Sequence, residues 1–251
     1  MNKLLNFNMP YLSKGGMLGA LSGAGGGGFA PTDIDGCEHW YDSSVLDDIT
    51  KDGSNRVSQW NDKVGSDNLV QSTSSNQPLW VNDGQNGHDY IDFDSTARYM
   101  QTSSGWTSMA QPMTVCMAIE FPSAERCAFS GFNSGASTWL RLMRGSNTNQ
   151  VACYNGADFG GTSITGLDDA KHTFMVISDN AGDDLIYMDG NNVTTDDSGG
   201  SNAFVGLTIG AQQDGSSGWG SAIYEWFIYD SVLSSDNLAT VNTYLSDKWG
   251  L

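Results

Sequence analysis

The run "MTVCMAIEF", residues 113 to 121, constrains this chain more than any other stretch. Met113, Val115, Met117, Ile119 and Phe121 fall on one side of an extended backbone. Thr114, Cys116, Ala118 and Glu120 fall on the other. A period of two marks a strand half buried in a sheet, and no helix can present that pattern as one face. Similar runs follow along the chain: "RVSQWND" (56–62), "DYIDFD" (89–94), "TWLRLMR" (138–144), "QVACYNG" (150–156), "HTFMVIS" (172–178), "DLIYMDG" (184–190), "AFVGLTIGA" (203–211) and "AIYEWFIYD" (222–230). Turn formers such as "DNAGDD", "DGNN", "SGGSN" and "QDGSSG" fill the gaps, so the strands are expected to be antiparallel neighbours in a two-sheet sandwich.

One helix is expected, at the end. Leu238, Val241, Leu245 and Trp249 recur at helical spacing, which predicts a helix over 234–249. Ser234 is the candidate N-cap, and Leu233 and Leu238 would staple the entry. Asp236 and Lys248 suit the two ends of the helix dipole, and Gly250 suits the position beyond the last turn.

Residues 1–33 read as an arm, and 34–251 as one folded domain including the helix. The stretch "GGMLGALSGAGGGGFAP" (15–31) holds eight glycines and no charge, and offers too little side chain to form a core. Ahead of it Leu4, Leu5, Phe7, Met9, Tyr11 and Leu12 form an apolar end, read here as an anchor that docks on a partner.

Charge narrows the partners. With 11 Lys and Arg against 29 Asp and Glu, the net charge is −18, which argues against nucleic acid and against anionic membrane surfaces. No run of 18 apolar residues is present, so membrane insertion is not expected, and Asn6, Asn8 and Pro10 break the pattern of a signal peptide. Cys37, Cys116, Cys127 and Cys153 make no CxxC pair, and free thiols folded in a reducing cytoplasm are expected.

Several segments resemble a known family. "KHTFMVISDNAGDDLIYMDGNNV" is similar to the strand–turn–strand of laminin-G-like, concanavalin A-like domains, with Asp189-Gly190 at the tight turn. "LTIGAQQDGSSGWGSAIYEWFIYDSVLSSDNLATVNTYLSDKWGL" is similar to that family's ending, and "HWYDSS", "RVSQWNDKVGSDN" and "QPLWVNDGQNGHDYIDFD" to its opening strands. The resemblance covers about residues 36 to 251 and is closest to the version found in bacteriophage virion proteins and bacterial surface proteins. It implies an all-β, two-sheet antiparallel jelly-roll sandwich with a C-terminal helix and an extended glycine-rich N-terminal arm. It implies a virion structural protein, made in the host cytoplasm, that displays this domain as capsid decoration, head fibre or tail-associated adhesin. Its partners would be other virion proteins through the arm, further copies of itself (a trimer among the options) and host glycans. The competing reading is an extracellular glycan-acting enzyme or lectin.

Catalysis is not expected. Sugar-cleaving relatives carry same-face carboxylates on one strand, and here Asp92 and Asp94 share a face, but position 90 is Tyr and the run "DYIDFDS" holds no glutamate. His39, His88 and His172 fall in no catalytic or zinc motif. The Asp-rich loops 179–184 and 194–197 have the oxygen ligands that calcium takes, but turn chemistry explains them and no cofactor or metal is assigned. For sugar binding the candidates are Trp139 and Arg141 on one strand, Tyr154 on its expected neighbour, and Trp219 in a glycine-rich loop.

Overall fold

The computed structural model describes residues 28–94, 97–102, 106, 108–123, 126–131, 141–144, 150–161, 164, 166–167, 169–180 and 182–251, with 141–144 described as backbone only. The expected arm anchor, Leu4, Leu5, Phe7, Met9, Tyr11 and Leu12, and the candidate Trp139 lie outside the described residues.

Among the described residues, seventeen strands precede one α-helix. In chain order they are β1 (Cys37–Asp42), β2 (Ile49–Lys51), β3 (Val57–Trp60), β4 (Leu69–Val70), β5 (Leu79–Gln85), β6 (His88–Asp92), β7 (Met100–Thr102), β8 (Met113–Glu120), β9 (Arg126–Gly131), β10 (Arg141–Arg144), β11 (Val151–Tyr154), β12 (Asp158–Gly161), β13 (Lys171–Ser178), β14 (Leu185–Met188), β15 (Asn191–Asn192), β16 (Leu207–Ile209) and β17 (Ala222–Tyr229), followed by α1 (Ser235–Trp249). They form two antiparallel sheets. The first runs β15-β14-β13-β8-β17-β6-β5, with β1 also pairing with β17. The second runs β12-β11-β10-β9-β16-β7-β4-β3-β2.

The core between the sheets is built from the inward face of each strand. Met113, Val115, Met117, Ile119 and Phe121 all point into it, as the alternation requires. Trp226 is its centre, with ring centroids 6.0 Å from Tyr41, 5.8 Å from Phe129 and 6.1 Å from Phe204. Turn chemistry matches the sequence. Asp189 (φ 50°) and Gly190 (φ 76°) make the two-residue link between β14 and β15, and Asn86 (φ 49°) and Gly87 (φ 77°) that between β5 and β6. Both pairs hold the doubly positive φ of a tight hairpin, which Asn-Gly and Asp-Gly adopt most readily.

The expectation of a half-buried β8 needs correction. Thr114, Cys116 and Ala118, on its outward side, have no exposed surface. The reason is α1, whose Leu238, Val241, Leu245 and Trp249 lie over that side of the first sheet together with Met175, Phe227 and Tyr229. The Ser234 side chain accepts from the Asn237 amide, and Gly250 closes the helix in the left-handed region (φ 66°). The hairpin tip grips the other end: Asn86 Nδ2 donates to the carbonyls of Asp247 and Lys248, and Gln85 Nε2 to that of Trp249.

Between helix and sheet lies a charged knot. A β-bulge in β17, between Ile223 and Glu225, turns both Tyr224 and Glu225 to the helix side. The Glu225 carboxylate accepts from Trp40 Nε1 (2.7 Å), the Tyr244 hydroxyl (2.7 Å), Lys248 Nζ (2.9 Å) and Trp249 Nε1 (2.8 Å). Lys248 also reaches Asp42 at 2.8 Å, and Lys63 reaches the other oxygen of Asp42 at 3.1 Å.

Packing begins earlier than the boundary at residue 33. Phe29 and Ala30 pack on the helix-side cluster, Pro31 is buried, and the Tyr229 hydroxyl donates to the Pro31 carbonyl at 2.9 Å. All four cysteines are free thiols, three of them buried. Burial, with Asp62, Glu38 and Glu225 adding to it, pushes the Cys37 thiol up to about 12, so it is no nucleophile near neutral pH. Among the described residues no helix is long and apolar enough to cross a membrane.

Candidate functional site

With the first sheet covered by α1, the outward face of the second sheet is where a broad row of polar positions meets solvent. The register lines up one cross-strand row: Thr50, Gln59, Val70, Gln101, Thr208, Ser130, Arg141, Tyr154 and Asp158, each opposite the next. Their neighbours of opposite parity, including Trp60, Leu69, Ile209, Phe129, Cys153 and Phe159, lie in the core. The row therefore belongs to the outside, and eight of its nine positions are polar.

A loop divides this row. Residues 211–218 fold over its centre, where Thr208 and Ser130 have no exposed surface. Ser130 Oγ donates to the Ala211 carbonyl, and Gln101 Nε2 to the Gln213 carbonyl and to Thr208 Oγ1. The Asp214 carboxylate folds the loop tip by accepting from the amide and hydroxyl of Ser216. Gly215 (φ 77°) lies so close to the Tyr99 ring that a Cβ there would sit 2.7 Å from it.

At its Gln59 end the row opens into a polar cleft of about 630 Å³ lined by Asp48, Gln59, Asn61, Asp62, Lys63, Gly65, Ser66 and Asn68. Its side chains are held in place. Gln59 Nε2 donates to Asn61 Oδ1 (2.7 Å), and the Asp62 amide donates to Asn68 Oδ1 (2.9 Å). The Asp62 carboxylate accepts from the amides of Trp40 and Val64 and sits 2.7 Å from His39 Nδ1. Burial pushes its pKa up, but His39 and the two amides outweigh that and hold it below the usual carboxylate range. Carboxylate, amide, ammonium and hydroxyl groups on one fixed wall form the lining that a polyhydroxylated ligand meets with matched donors and acceptors.

The sequence candidates separate here. Positions 141 and 154 are brought directly opposite each other in the second sheet, and Tyr154 is half-buried there. Trp219 is not an exposed platform. It has no accessible surface, its ring packs edge-on against Phe121, and its Nε1 donates to the Glu120 carbonyl at 2.9 Å. The glycine-rich loop carries this tryptophan inward as a core residue. The cleft residues Asn61, Ser66 and Asn68 are not marked by the sequence because "NDKVGSDN" looks like any turn; only the fold sets it beside Asp48, whose carbonyl accepts from the Asn61 amide at 2.8 Å.

The carboxylates rearrange too. Asp94 is exposed and forms an ion pair with Arg98. Asp92 feels the charges of both Asp94 and Glu120, and Glu120 accepts from the Tyr224 hydroxyl at 3.0 Å, with Tyr90 packed edge-on to Tyr224. Burial, helped by Asp94 and Glu120 and opposed by Arg98, pushes the Asp92 carboxyl up to about 6. In the Asp-rich loop at 179–184, Asp184 is internal and accepts from Asn155 Nδ2 and the Asp179 amide. Among the described residues no three His, Cys, Asp or Glu side chains converge as a metal site.

No family model matches this chain. No curated protein matches it either. Solved structures do. A Trypanosoma rangeli sialidase in complex with sialic acid aligns over 86% of this chain at 14% identity and a TM-score of 0.57. Domain 4 of AbnA, a GH43 extracellular arabinanase from Geobacillus stearothermophilus, in complex with arabinotriose, aligns over 82% of this chain and 98% of its own length, at 15% identity and a TM-score of 0.56. The binding domain of Paraclostridial Mosquitocidal Protein 1 aligns over 85% of this chain and 52% of its own, at 10% identity and a TM-score of 0.58. The chain shares their β-sandwich fold. It spans about a third (33%) of the sialidase's length. At these identities the likeness establishes architecture, and function has to be argued from the site.

Proposed function

We propose that this chain is a non-enzymatic carbohydrate-binding β-sandwich, displayed on the surface of a bacteriophage particle by its N-terminal arm. The observation that carries the binding half is the polar row across the second sheet, opening at Gln59 into the cleft lined by Asn61, Asp62, Ser66 and Asn68. Two of the similar structures support binding over cleavage: one is a separate domain in complex with arabinotriose, the other is described as a binding domain. The display half rests on the sequence: an apolar end, a glycine-rich tract and a resemblance to virion domains. Capsid decoration, head fibre and tail adhesin all fit that arrangement, with other virion proteins and further copies of this chain as partners.

A glycan array of host surface polysaccharides, arabinan oligosaccharides and sialylated glycans tests the binding half. At least one ligand is expected to bind, and Gln59→Ala and Asn61→Ala each to weaken it by roughly tenfold, about 1.4 kcal/mol. No binding across the array, or binding that both variants leave intact, refutes it. Release of reducing sugar that is lost with Asp92→Asn would favour the glycan-acting enzyme instead. Antibody labelling of particles tests the display half.

A further inference from the structure

We infer that the apolar segment at the start of the chain, Leu5, Phe7 and Met9, seats in a groove on the outer side of α1 when the protein is free. The groove measures about 590 Å³ and is lined by Gly28, Phe29, Ala239, Thr240, Thr243, Tyr244, Asp247 and Lys248. Two ridges of α1 spaced four residues apart form its floor: Ala239, Thr243 and Asp247, and beside them Thr240, Tyr244 and Lys248. Phe29 forms a wall, its ring edge-on to Tyr244 at 5.3 Å.

Three observations name the occupant. The first is position: Gly28, the first described residue, lines the groove itself, so the preceding chain leaves from its rim. The second is reach. Ala239 to Lys248 spans roughly 14 Å of helix axis. Leu5, Phe7 and Met9 alternate with Asn6 and Asn8, and as an extended segment they cover roughly 14 Å with three apolar side chains on one side. Residues 10–27, seven of them glycine, separate this segment from Gly28. A glycine-rich stretch of that length has a root-mean-square reach of roughly 23 Å, enough to return along the helix. The third is charge. The first 27 residues hold two lysines, Lys3 and Lys14, and no acid, so the remaining chain carries nine positive against 29 negative side chains. A cationic apolar segment is thus tied to a strongly acidic domain, with Asp247 exposed on the groove. A tether of this length keeps the segment at an effective concentration near the millimolar range, far above that of a second molecule in dilute solution. The seated arm would hide its own anchor until a partner surface competes for it.

The test compares the intact chain with the intact chain carrying Phe7→Asp and Met9→Asp, both on the arm. Amide and methyl NMR shifts should differ at Phe29 and along 239–248, and adding about 1 mM of a peptide of residues 1–12 to the variant should restore them. In a Met9→Cys, Thr243→Cys chain at about 1 µM, the mapped intrachain disulfide should form at least roughly tenfold faster than when Phe7→Asp is also present. Groove shifts unaffected by the arm substitutions overturn the inference. So do shifts that fade on dilution in step with a dimer seen by sedimentation, which would place a second copy's arm in the groove.

Discussion

Glu225 has no accessible surface, yet its carboxylate gathers two indoles, a phenol and an ammonium. Removing one partner of a buried, hydrogen-bonded charge leaves the others unsatisfied, so Glu225→Ala should destabilise the fold by roughly 3–5 kcal/mol in urea unfolding. Asp92 should behave in the opposite way. Its pKa, about 6, lies above the ordinary carboxylate value of 3.8, so the folded state favours the protonated form. The stability it adds is complete below about pH 4 and is lost as pH rises through about 6. Asp92→Asn should therefore melt higher than wild type at pH 7.5, with the gap closing toward pH 4; an equal gap at both values would refute this. Neither behaviour was legible in the sequence. Glu225 lies in "AIYEWFIYD", where the alternation does not show the bulge that turns it and Tyr224 to the same side. Asp92 was paired on paper with Asp94, its neighbour at two residues, whereas the groups around it come also from strands far away in sequence.

At the scale of elements, α1 was readable to its caps. Ser234, Asp236 and Gly250 act by contacts within a few residues, which sequence shows directly. The long strands β8, β13 and β17 and the Asp189-Gly190 turn were legible for the same local reason. The strands β2, β4, β7 and β15 were not, since two or three residues cannot display a period, and pairing alone makes them strands. The same limit hid the cleft, whose walls come from β3 and the loops around residues 48 and 61–68. The helix stripe has a clear energetic signature: Leu245 is fully buried, and Leu245→Ala should cost roughly 2–5 kcal/mol by chemical denaturation, against less than about 0.5 for a surface site.

The whole molecule is closed by its ends. Phe29 and Pro31 pack against the helix side, and β1 hydrogen-bonds to β17 nearly two hundred residues later. Deleting residues 1–33 should thus lower the melting temperature by roughly 5 °C or more relative to deleting 1–27, since it strips a half-buried phenylalanine, a buried proline and the hydrogen bond to Tyr229. Equal melting temperatures would show that packing starts after residue 33. The place of β17 has a further consequence for how the protein is made. This strand lies inside the first sheet, with β8 on one edge and β6 and β1 on the other, but its residues are translated after those of the other described strands. While the chain is still on the ribosome, those three strands wait with their backbone groups unpaired on the edges β17 will fill. Such edges are templates for pairing with other nascent chains. A chain cut after residue 215 should yield aggregates rather than a smaller soluble domain, and the cell that makes this protein must shelter the partial sheet until β17 emerges.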